Sequence, residues 1–292
     1  MSVAGNTTKE PNIASPETGR AAAGSFFSGS RGRLFMMDYS AAGESRGTIL
    51  YVAPFATEAG HSRRVIARLA RLLSQKNYRT VVVDHYGCGD SEGNFEDARW
   101  EIWREDLLSI CRWLQAGGCE RVILCGLRMG ALLATEVATL SPLPVEQLVL
   151  FQPALSGAAS LSQFIRSHMQ PEDLPPEIAL KVPDTEQRRT LSLVGPVNID
   201  GYFLAPELIR AIDSLKLEPL GAGISAPIHW LRILKDKDEQ PSAGSRRVIQ
   251  NWRTRGLRVD MSEVFSWPFW AIATVATTED FFRTLPPAFP NA

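Results

Sequence analysis

No stretch of this 292-residue sequence offers the long uncharged apolar run that a membrane-spanning helix needs, so no membrane insertion is expected. The first 24 residues are mostly Ala, Gly, Ser, Thr, Pro and Glu, without the apolar core of a secretory signal. They read as a disordered tail, which leaves residues 25–292 as a single domain. Neither sign of charge is in excess: 31 Lys and Arg face 32 Asp and Glu, and no basic footprint calls for a nucleic-acid partner. Cysteine is scarce. Cys88, Cys111, Cys119 and Cys125 have neither C-x-x-C spacing nor the density of a disulfide framework, which suits a reducing, cytoplasmic compartment. No cluster has metal-ligand spacing, and Gly87-Cys88-Gly89 is too short and wrongly placed for a dinucleotide loop, so neither metal nor cofactor is expected. Histidine is just as scarce, with His61, His85, His168 and His229 the full set.

What is present is an alternation of short apolar runs and amphipathic stretches. Residues 33–39, 48–54, 81–84, 122–125, 148–151, 228–234 and 257–261 read as strands. The first two are joined by the polar turn Ala42-Gly43-Glu44-Ser45. Helical spacing follows Ser62, which is placed to cap a helix carrying Val65, Ile66, Leu69 and Leu73; it recurs from Trp100 to Leu114 and near 246–252. Strand alternating with helix in this order predicts a mostly parallel sheet with helices on both faces. Residues 152–226 hold no convincing buried strand and show helical stretches around 161–168 and 206–215. They are expected to form a mainly helical cap over the carboxyl ends of the strands. A last helix is expected over 278–285.

The sequence is organised around one stretch, Arg121-Val122-Ile123-Leu124-Cys125-Gly126-Leu127-Arg128-Met129-Gly130-Ala131. A β-branched run, Gly-x-Arg-x-Gly and then small apolar residues is the layout of strand, sharp turn and buried helix. α/β-Hydrolases hold their nucleophile in this frame. The nucleophile's position is held by Arg128, and a guanidinium stays protonated and cannot attack.

The motifs around this elbow resemble those of a known family, the α/β-hydrolase-fold proteins called exosortase-A-associated hydrolase, type 2, in the serine-aminopeptidase-like group. The matching residues are Pro54-Phe55-Ala56 with Ser62-Arg63-Arg64, and Tyr86-Gly87-Cys88-Gly89-Asp90-Ser91 with Asp97-Ala98-Arg99-Trp100. Gly126-Leu127-Arg128 with Gly130-Ala131-Leu132-Leu133-Ala134, then Gln152-Pro153, Gly201-Tyr202 and Pro268-Phe269-Trp270, complete the set. The resemblance implies an α/β-hydrolase fold, nominal action on ester or thioester bonds, and bacteria that make exopolysaccharide and carry a protein-sorting system. It also implies that Arg at the elbow is usual there. Ala59-Gly60-His61 and Arg232 depart from the pattern.

A Ser-His-Asp hydrolase on this fold places its His last in chain order, and here no His follows the final expected strand. Trp267-Pro268-Phe269-Trp270 fills that slot, as packing against the cap or as a pocket wall. Asp236, Asp238 and Glu239 stand where the acid would be, and without a His they read as a solvated loop. Ser91 reads as a turn residue rather than a nucleophile, Cys88 and Cys125 as buried thiols, Asp84 and His85 as a poor acid–base pair, and His229 as a packed core histidine. The candidates are therefore Arg128 at the elbow with Glu58, Asp84 and Ser91 for any chemistry, and Phe55, Glu58, Arg128, Met129, Trp267 and Trp270 for a ligand. A cation at a helix amino terminus needs an answering anion. Glu58 is the first choice, with Asp84 or Asp90 behind it. Two readings stand: a hydrolase acting through an unusual arrangement on a small acyl ligand, or a scaffold without the triad that binds an anionic ligand or a protein partner. In the second, Arg128 is either a permanent internal plug or the floor of an anion site.

Overall fold

The computed structural model describes residues 22–168, 184–193, 195–235, 239–271, 281–282 and 289. An eight-stranded sheet forms the centre. Its strands are β1 (Ala23–Ser28), β2 (Arg33–Tyr39), β3 (Gly47–Val52), β4 (Tyr78–Val83), β5 (Val122–Leu127), β6 (Val145–Phe151), then, after a short separate hairpin of β7 (Val197–Ile199) and β8 (Tyr202–Leu204), β9 (Ile228–Leu234) and β10 (Val259–Phe265). The spatial order is β1-β2-β4-β3-β5-β6-β9-β10; β2 runs antiparallel to its neighbours β1 and β4, and all other neighbours pair in parallel.

The period-2 alternation of side chains splits the core between the two faces. Leu50, Val52, Leu124, Leu148, Leu150 and Trp230 pack on one face, where they meet α2 (Trp100–Ala116) and α3 (Gly130–Leu140). Ile49, Tyr51, Ile123, Cys125, Val149 and Leu231 pack on the other, against α1 (Thr57–Gln75). Every residue of β5 is buried, as a central strand covered on both faces requires. Between β6 and β9 lie α4 (Gly157–His168), α5 (Asp184–Leu191), the β7–β8 hairpin, α6 (Pro206–Ser214) and α7 (Leu217–Leu220); α8 (Ala243–Thr254) connects β9 to β10.

Several sequence expectations need correction. β1 begins at Ala23, so the last residues assigned to the tail belong to the sheet; its half-exposed alternation gives an edge strand little apolar signal. The turn at 42–45 joins β2 to β3 without pairing them, because β4 lies between. Ser62 does not cap α1. The helix starts at Thr57, and Ser62 is an interior residue whose hydroxyl donates to the Ala59 carbonyl at 3.2 Å. The expected cap and last helix extend in part, and Asp236 and Asp238 wholly, outside the described residues.

Candidate ligand-binding site at the elbow

The elbow is built by close backbone approach. A Cβ on Gly126 would stand 2.6 Å from the Gly130 carbonyl oxygen, and one on Gly130 would stand 2.4 Å from that of Ala53. Glycine at both positions lets the turn between β5 and α3 close, and Arg128 sits at its tip with φ 54°, the left-handed region. Arg128 N–H donates to Phe151 O, and Arg128 O accepts from Ala154 N, both at 3.0 Å, so the turn is tied to the end of β6.

The early start of α1 decides what faces this turn. Glu58 lies in the first turn of α1, where the helix dipole favours a carboxylate, and His61 follows one turn later on the same side. Arg128 Nε donates to Glu58 Oε1 at 3.1 Å, so the acid expected to answer the guanidinium does so. The Arg128 side chain is 16% exposed and that of Glu58 25%, which makes this a half-buried pair. Burial raises the Glu58 carboxyl above its usual range, against the lowering pull of Arg128, His168 and His61. The cost of taking Glu58 out of water thus exceeds the return from its partners, and folded-state stability alone is a weak reason for the pair.

These groups line a cavity of about 300 Å³. Phe55, Thr57, Glu58 and His61 contribute from the β3–α1 loop and α1, and Arg128 and Met129 from the elbow. Ser160, Gln163, Phe164, Ser167 and His168 come from α4, with Trp270 and Ala271 after β10. Arg128 Nη2 donates to Gln163 Oε1 at 3.4 Å, and its Cζ lies 5.5 Å from the centre of the Trp270 ring, a cation–π contact. The loop that would deliver the general base therefore delivers an indole to the residue that would be the nucleophile. His61 Nδ1–H donates to Trp270 O at 3.1 Å, and His168 Nδ1–H donates to Phe164 O at 2.9 Å. The opposite nitrogen of His168, Nε2, faces Thr57 Oγ1 at 3.4 Å.

Of the residues singled out from sequence, Phe55, Glu58, Arg128, Met129 and Trp270 meet at this cavity. Trp267 does not: it is 54% exposed, with Lys235 Nζ 5.3 Å over its ring. Asp84 is taken by Arg63, which donates to both its oxygens at 2.8 and 2.9 Å. Ser91 donates to Asp84 O at 2.6 Å and accepts from Phe35 N at 2.9 Å, which fixes it as a turn residue. Burial pushes the Cys88 thiol up to about 12 and that of Cys125 higher still, so neither is a thiolate at neutral pH. His85 is buried, stacks on Trp103 at 5.1 Å and titrates near 4 because of that burial, so it is neutral under ordinary conditions. His229 is buried in β9 against the Ser262 hydroxyl, and Arg232 is held by Glu263 and the Glu239 carbonyl. No group of His, Cys, Asp and Glu among the described residues could hold a metal ion. No helix among them is long and apolar enough to cross a membrane. Sequence reading missed the α4 face. Its signal was the spacing of positions 160, 163, 164, 167 and 168, one side of a helix that carries polar groups and a phenylalanine together.

Comparison with known proteins agrees with this fold. Residues 43–179 match the family described as Serine aminopeptidase, S33. No curated protein matches the sequence. Among solved structures, Est1E from Butyrivibrio proteoclasticus with ferulic acid bound is similar at a TM-score of 0.62 and 17% identity, over 82% of this chain and 89% of that one. N-formylmaleamic acid deformylase from Pseudomonas putida is similar at 0.57 and 15%, over 90% of this chain and 100% of that one. A thermostable carboxyl esterase from Bacillus coagulans in complex with glycerol is similar at 0.58 and 13%, over 84% and 90%. The chain has the α/β-hydrolase fold, and its residues 43–179 are similar to the serine aminopeptidase, S33, family.

Proposed function

We propose that this protein uses the elbow pocket to bind a small anionic ligand, and that it does not act through a Ser-His-Asp triad. The observation that carries this reading is the pairing of Arg128 with Trp270 in the two places where a nucleophile and its base would meet. A fixed cation at the tip of the elbow, partly exposed to a cavity and paired with Glu58, is a receptor for a carboxylate or phosphate oxygen. The segment over 152–226 would serve as the cap that closes over that ligand, with α4 supplying one wall. The four described cysteines are unpaired, in keeping with a cytoplasmic site of action. Association with exopolysaccharide assembly and protein sorting rests on the motif resemblance to exosortase-A-associated hydrolase, type 2.

One contact favours a second reading. His168 Nδ1–H is committed to a backbone carbonyl, which leaves Nε2 of a neutral ring to accept from the Thr57 hydroxyl. Such a pair could transfer a proton as Thr57 attacks an acyl carbon. Purified protein tested on short p-nitrophenyl esters and acyl thioesters, with Arg128→Ala and Thr57→Val as controls, separates the two. The expected result is no turnover above buffer and no labelling by a fluorophosphonate. Turnover that either substitution abolishes would establish the hydrolase.

A further inference from the structure

The anion-site reading above says where a ligand's charge would sit, and the remaining walls of the cavity say what the rest of it should be. We propose that the pocket takes a small aryl monocarboxylate, its carboxylate on the outer edge of Arg128 and its ring against Phe55 and Phe164.

Three observations point to that class. The first is the free edge of the guanidinium. Nε is occupied by Glu58 at 3.1 Å, and among the described residues the only other side-chain hydrogen bond of Arg128 is the long one from Nη2 to Gln163. The Nη edge thus presents two N–H directions in one plane, the fork that a carboxylate accepts with both oxygens. The Gln163 side chain can turn its amide N–H to the same oxygens once displaced.

The second is charge. The positive charge of Arg128 is already shared with Glu58, so a single negative charge is the most the site can balance without help. A phosphate dianion would be brought up against the Glu58 carboxylate, whereas a monocarboxylate faces one like charge across the guanidinium. Among the described residues, the charged or titratable groups that act on Glu58 are Arg128, His168 and His61, and Glu58 in turn acts on the Tyr51 hydroxyl. As pH falls, Glu58, whose carboxyl burial already raises, is neutralised, and that change favours an incoming anion. Carboxylate binding should therefore strengthen on acidification until the ligand itself is protonated.

The third is shape. Phe55 and Phe164 meet edge to face at 5.3 Å and 86°, which makes an aromatic corner beside the elbow, and Met129 lines the cavity at the elbow itself. Such a corner accepts a flat ring by stacking on one wall and meeting the edge of the other. A volume of about 300 Å³ is at the small end for ligand sites, room for one ring and a short chain.

The test is calorimetric titration of the full chain with trans-cinnamate, cinnamamide, hexanoate and inorganic phosphate, repeated on Arg128→Lys and on Phe164→Leu. Cinnamate should bind, with cinnamamide, hexanoate and phosphate each weaker by about tenfold or more. Phe164→Leu should weaken cinnamate by about fivefold while leaving hexanoate little changed. Cinnamate that binds no better than its amide, than hexanoate or than phosphate would overturn the proposal. Phosphate binding that needs Arg128, without cinnamate binding, would overturn it while leaving the anion site in place. If no anion binds in a manner that depends on Arg128, both readings fall together.

Discussion

Replacing Gly130 by valine is expected to abolish folding of the domain. The first atom added, Cβ, would stand 2.4 Å from Ala53 O and 2.5 Å from Val52 O. Both are backbone atoms at the end of β3, a strand hydrogen-bonded to β4 on one side and β5 on the other. Backbone held in the middle of a sheet cannot move aside as a flexible side chain would, and the branched γ-carbons add further overlap in fully buried surroundings. The cost should exceed about 4 kcal/mol, a large part of the total stability of a typical domain. Far-ultraviolet circular dichroism and thermal melting of the purified variant give the answer. A Gly130→Val protein that melts cooperatively close to wild type would show that the elbow is looser than described.

Removing the Arg128 guanidinium is expected to destabilise the protein in a way that a second substitution repairs. Arg128→Ala leaves Glu58 in a half-buried site without its counter-charge, where burial already raises its carboxyl. Leaving one member of such a pair unpaired costs on the order of 1 to 3 kcal/mol at neutral pH. A carboxyl with a folded-state pKa above its unfolded value holds its proton more tightly in the native state. Stability of the single variant should therefore fall as pH rises through the raised Glu58 pKa, and return as pH drops below it. In Arg128→Ala with Glu58→Gln no charge is left behind, and most of the loss and its pH dependence should vanish. Urea unfolding of the two single variants, the double variant and wild type measures the coupling. Additive losses, or a single variant as stable as wild type at every pH, would mean that the two side chains act independently.

The fold was legible wherever the chain is buried on both sides. β5 and the elbow glycines show themselves because a central parallel strand must be apolar throughout and a tight turn against a sheet tolerates no Cβ. The same physics identified Arg128 as an outlier that needs an anion, with Glu58 as the first choice to supply it. What stayed hidden lies at surfaces and edges. β1 pairs only with β2 and alternates between half-buried and exposed positions, so it carries little apolar pattern. The first turn of α1 faces a cavity rather than the core, and its polar residues concealed the helical period that begins at Thr57. Trp267 and Trp270 are alike in sequence, and only the path of the chain after β10 puts Trp270 under the guanidinium and Trp267 in solvent. The α4 wall is a tertiary feature: nothing local to residues 157–168 says that this face meets the elbow.

The most direct test of Arg128 as an anion receptor is the nuclear magnetic resonance signal of its own Nε–H group, identified by its loss in Arg128→Lys. That proton is hydrogen-bonded to Glu58 in the free protein, and an anion on the same guanidinium must alter it. Titration with cinnamate, and separately with phosphate, should move the signal saturably for at least one of them, in step with the calorimetric binding curve. If the signal stays in place through both titrations, the guanidinium is a permanent internal plug and the elbow pocket is not an anion site.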